Sequence, residues 1–87
     1  GDFGDCPECF EGLPISVIFD ARPLIDSGDT PMPKILKAMD DLKSGEVFEL
    51  LTPFYTAPII DTLRKKGYSS WSKKVAPDIV NTYFMRK

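Results

Sequence analysis

Histidine is absent from the 87 residues of this chain. The usual general base near neutral pH and the commonest nitrogen ligand for metals are therefore missing. Ser-His-Asp and Cys-His catalysis are excluded within the chain. No glycine-rich phosphate loop occurs, which removes the ordinary nucleotide-binding motifs. No apolar run approaches the roughly 20 residues a membrane-spanning helix needs, so no membrane partner is expected. Only 2 cysteines are present, too few for a disulfide scaffold, and no secretory signal is visible. A reducing cytoplasm is the expected compartment. The chain opens on Gly1 rather than Met and reads as a piece of something longer.

What is present suits one small domain. The net charge of −2 hides an asymmetry, since residues 1–63 are acidic and residues 64–87 hold seven of the basic groups and only Asp78 as an acid. Such a division can mark a binding surface, although a solvated helix end and a lysine-rich sheet edge would produce it too.

The most legible stretch runs from Thr30 to Leu51. Met32, Ile35, Leu36, Met39 and Leu42 recur at helical spacing, with Lys34, Lys37, Asp40, Asp41 and Lys43 opposite. Thr30, Pro31 and Pro33 crowd its start, and Gly45 stands as its stop. Because Met32 precedes Pro33, it should be pushed away from helical dihedrals. Val47 to Leu51 then reads as a strand. Upstream, residues 1–12 lack periodicity and are expected to be a mobile tail that adds nothing to folding. Ile15 to Phe19 reads as the first strand, and Ala21 to Asp29, with its Pro, Gly, Ser and Asp, as a loop. Downstream, Thr56 should cap a second helix from Ala57 to Lys66 that Gly67 ends. Strands from Tyr68 to Val75 and from Ile79 to Met85 close the chain. The order β-α-β-α-β-β predicts a two-layer α/β sandwich, with both helices on one face of a four-stranded sheet.

Several short motifs in this order resemble the TusA-like (SirA-like) sulfur-carrier family, and more closely its branch of uncharacterised domains. They are Phe19-Asp20-Ala21-Arg22-Pro23-Leu24, Pro31-Met32-Pro33, Leu42 with Ser44-Gly45-Glu46, Gly67, and the closing Arg86-Lys87. The resemblance covers nearly everything from Pro14 onward and makes residues 13–87 a single TusA-like domain. It implies a mixed sheet in order 1-2-4-3 with the last strand antiparallel to the others. In the sulfur carriers a Cys-Pro-x-Pro motif holds a persulfide-carrying thiol at the first helix. Here the position reads Thr30-Pro31-Met32-Pro33, after a loop longer by several residues. A hydroxyl cannot carry a persulfide, so that part in sulfur relay is not inherited there.

Three functions from different classes remain. The first is a non-catalytic binding module at the mouth of the first helix, lined by Asp20, Arg22, Asp29, Thr30 and Pro31. It would take a protein partner or a small anion, favoured by the helix dipole and by Arg22. Alternatively, Arg22 pairs with a neighbouring aspartate and merely pins the loop. The second is a sulfur or redox carrier using Cys6 and Cys9, whose CxxC spacing suits a redox disulfide or half of a metal site. The ligands that would complete a structural zinc site are lacking, and no cofactor is expected. The third is nucleic-acid binding through Tyr68, Trp71, Tyr83 and Phe84 among the C-terminal lysines. The acidic composition disfavours it, and half of those aromatics should belong to the core. An ordinary enzyme is not expected, because the adjacent Asp40 and Asp41 point in different directions on an exposed helix face.

Overall fold

The computed structural model describes Phe10 and residues 12–86. Seven elements follow in order: β1 (Ile15–Asp20), α1 (Arg22–Asp26), α2 (Met32–Asp40), β2 (Val47–Thr52), α3 (Ala57–Lys65), β3 (Tyr68–Ala76) and β4 (Ile79–Arg86). The strands form one sheet in the order β1-β2-β4-β3. β1 lies parallel to β2, while β4 runs antiparallel to both β2 and β3. This is the mixed sheet that the family resemblance implied.

Alternation along the strands divides the sheet into two unlike faces. Phe48, Leu50 and Thr52 of β2 share one face with Val80, Thr82 and Phe84 of β4, and all six are buried. Ile35 and Met39 of α2 and Ile59, Ile60 and Leu63 of α3 complete that core. Its polar members are paired: the Ser72 and Thr82 hydroxyls lie 2.8 Å apart, and the Tyr68 hydroxyl donates to the Met39 carbonyl at 3.3 Å. Arg86 donates from Nε to the Leu42 carbonyl and sits over the Tyr68 ring, tying the last strand to the α2–β2 loop. Among the described residues, no α-helix lies on the opposite face.

Local expectations at three helices need correction. Residues 22–26 form a short third helix where a loop was expected. Asp20 Oδ1 accepts the Arg22 N–H at 3.1 Å, and Pro23 lies in the first turn. Gly28, at φ +85°, then lets the Asp29 N–H reach back to the Leu24 carbonyl at 2.9 Å. The second correction concerns α2, which ends at Asp40, so Gly45 serves a separate turn. There the Lys43 N–H donates to Glu46 Oε1 at 2.7 Å and the Glu46 N–H to the Lys43 carbonyl at 3.1 Å. Met32 is helical despite Pro33, its N–H facing Thr30 Oγ1 at 3.5 Å. Thirdly, Thr56 occupies the N-cap of α3 but makes no side-chain capping bond; its buried Oγ1 has no hydrogen-bond partner among the described residues.

Phe10 also departs from expectation. It lies within the stretch read as a mobile tail, yet it is buried, lodged on the helix-free face beside Ile15, Val47, Trp71 and Tyr83.

Candidate functional site

β1 and β2 run parallel and therefore deliver their carboxyl ends to the same edge of the molecule. Loops at that edge are free of core packing and leave side chains exposed. Asp20 closes β1, Arg22 opens α1, and Pro53 follows β2. β4 begins beside the end of β2, with Val80 opposite Thr52, so the β3–β4 turn brings Asp78 to the same place. Asp20, Arg22, Pro23, Asp26, Pro53 and Asp78 line an open cleft of about 470 Å³.

The geometry around Arg22 is specific. Its Nε donates to Asp20 Oδ1 at 2.9 Å and its Nη2 to Asp20 Oδ2 at 2.8 Å, while its backbone N–H also reaches Oδ1. This is a fork-to-fork ion pair. The hydrogen bonds from Arg22 hold the Asp20 carboxyl below the ordinary carboxylate value, against a smaller opposing effect of burial. Asp20 in turn raises the Arg22 pKa, helped by the charges of Asp78 and Asp26. A carboxylate held ionised in this way is a poor general acid. With three aspartates and one arginine, the cleft has a formal charge of −2.

The structure thus brings together two of the expected site residues, Asp20 and Arg22. Asp29, Thr30 and Pro31 do not line this cleft. The Asp29 N–H closes α1, Thr30 faces the first N–H of α2, and buried Pro31 accepts the Ile35 N–H at 3.0 Å. Pro23, Asp26, Pro53 and Asp78 were missed. Asp78 could have been found from the implied strand order, which sets the β3–β4 turn beside the end of β2.

Cys6 and Cys9 lie outside the described residues. Among the described residues, no cluster of three or more His, Cys, Asp or Glu side chains could hold a metal ion. No helix there is long and apolar enough to cross a membrane. In the basic C-terminal third, Tyr68 and Phe84 are core residues, whereas Trp71 and Tyr83 stack on each other at 5.4 Å on the helix-free face. Arg64 donates from Nε to Ser70 Oγ at 2.7 Å.

A family model described as "Uncharacterized conserved protein (DUF2249)" matches residues 18–83. The chain belongs to this family. The DUF2249 span contains every residue of the cleft and most of the sheet, and it leaves out Phe10, β1 up to Val17 and β4 from Phe84 onward. No curated protein and no solved structure matches the chain.

Proposed function

We propose that this DUF2249 domain is a non-catalytic binding module whose site is the acidic cleft at the carboxyl ends of β1 and β2, lined by α1 and the β3–β4 turn. The observation that carries the reading is the closed Asp20–Arg22 fork, exposed at the rim and flanked by Asp26 and Asp78. A free small anion would have to separate Arg22 from Asp20 and enter among three carboxylates. A protein partner presenting a lysine or arginine meets complementary charge without breaking the fork. The partner class is therefore a protein with an exposed basic segment.

The TusA-like resemblance points to the start of α2, which follows in the chain the α1 segment that lines the cleft. In the sulfur carriers the working group stands at the start of the equivalent helix; here Thr30-Pro31-Met32-Pro33 occupies that start without a thiol. We read the chain as a TusA-like scaffold whose neighbouring loop has taken over the binding role.

The test is an amide-resolved titration of the intact chain with a short arginine-lysine peptide and, separately, with inorganic phosphate. Peptide should shift Asp20, Arg22, Asp26 and Asp78, and Asp78→Asn should weaken it more than Lys73→Gln. Phosphate perturbing the cleft more strongly than peptide, or peptide acting only on β3, would overturn the reading.

A further inference from the structure

Phe54 is 57% exposed and stands in the short β2–α3 loop next to Pro53, a wall of the acidic cleft. Among the described residues it is the one aromatic side chain left mostly open; the others are buried or half-buried. Its backbone is tethered on both sides. Thr52, which has no exposure, donates from Oγ1 to the Phe54 carbonyl at 2.7 Å. Two residues further on, the Thr56 carbonyl accepts the Ile60 N–H at 3.1 Å and joins the loop to the first turn of α3. An exposed ring on a held backbone loses little freedom when it is covered, so most of its apolar area counts toward binding. Single exposed apolar side chains are ordinary on protein surfaces. What distinguishes Phe54 is its place beside three aspartates and one arginine.

We propose that Phe54 and the cleft form one composite site, which takes a segment with an apolar side chain two residues from its arginine or lysine. This inference rests on the reading of the cleft as a seat for a basic segment, and narrows the partner. The two halves of the site contribute differently. Carboxylates such as Asp26 and Asp78 attract a cation, but attraction between exposed charges is weak and screened by salt. It also treats one basic segment much like another. Covering a ring is nearly independent of salt and grows with the apolar area removed from water. Spacing favours the pairing. In an extended segment, side chains two residues apart point the same way at about 7 Å. Pro53 and Phe54 are adjacent in the chain, so their Cα atoms are about 3.8 Å apart. A cation held in the cleft therefore brings the side chain two residues along it within reach of the Phe54 ring.

Two peptides test this on the intact chain by amide-resolved titration. One reads arginine-glycine-leucine between flanking glycines, and the other has glycine in place of the leucine. Both should shift Asp26 and Asp78, and the leucine peptide should bind about fivefold more tightly, the scale of partly burying one leucine. Phe54→Ala should erase that difference, whereas Phe54→Leu, which keeps an apolar side chain, should retain most of it. Asp78→Asn and added salt should weaken both peptides and leave their ratio unchanged. Equal affinities on the unaltered chain, or a ratio that survives Phe54→Ala, overturn the composite site and leave the cleft reading standing. If neither peptide moves Asp26 or Asp78, the cleft reading fails and this inference falls with it. Should Phe54→Ala fail to fold, the two peptides on the unaltered chain and on Phe54→Leu still decide.

Discussion

The two faces of one sheet differ more than any two elements of this molecule. Beneath the helices, Phe48, Leu50, Thr82 and Phe84 have no exposure at all, and the Thr52, Ser72 and Thr82 hydroxyls each have a partner. Across the same strands, one residue along, Leu51, Tyr83 and Met85 are half-buried beside the hydrogen-bonded Glu49–Asn81 pair, and the Trp71–Tyr83 stack and Phe10 lie at one end. Two α-helices of 9 residues supply the core on the first face; among the described residues, the second gains burial from within the sheet and from Phe10. The difference teaches that apolar alternation specifies which residues share a face, while burial depends on what is laid over it.

The comparison can be broken most decisively on the covered face. Leu50→Ala and Phe84→Ala should each cost about 2–5 kcal/mol by urea titration, because both remove fully buried side chains from packed surroundings. Losses below about 1 kcal/mol at both sites would mean that this face is not the core. Thr82→Val comes next, at about 1–3 kcal/mol, because it strands the buried Ser72 hydroxyl. The double change Ser72→Ala with Thr82→Val should cost less than the two single changes together, and additivity would deny the pairing.

On the other face, Phe10→Ala should cost about 1–2 kcal/mol, the scale of returning one buried aromatic to water. An unchanged midpoint would return Phe10 to an inert tail. Ile18→Thr, at the most exposed point, should stay within about 0.5 kcal/mol; a larger loss would show that this part of the face is already covered.

The smallest effect belongs to the cleft and is read through pH. Because Asp20 has a lowered pKa in the folded state, the fork stabilises the protein above the unfolded carboxylate value of about 3.9. That contribution fades as pH falls through the lower folded value. Asp20→Asn should therefore bring the stability curve closer to that of the parent at acid pH than at neutral pH. Parallel curves at all pH values would show that the fork contributes no pH-dependent stability.

Much of the fold was legible. Ile35 and Met39 at helical spacing, the β-branched run at Ile15 to Phe19, and Gly67 after α3 each identified an element correctly, because each signal is local. The short helix at 22–26 escaped because 5 residues cannot display a helical period. Its marks, Pro23 near the start and Gly28 after the end, suit a loop equally well. The end of α2 was misjudged because Leu42 continues the apolar spacing into a residue that is buried without being helical.

For the candidate site, the sequence by itself determined that histidine-dependent catalysis is absent and that Asp20 and Arg22, two residues apart, can meet. Only the tertiary structure decided that Asp78 joins them and that Arg22 spends its fork on Asp20. It also decided that Phe10 lies on the helix-free face, over Val47 and beside the Trp71–Tyr83 stack. Each of these depends on strand order and on which side the helices lie, and such long-range pairings are selected by the packing of the whole sheet rather than by neighbours in the chain.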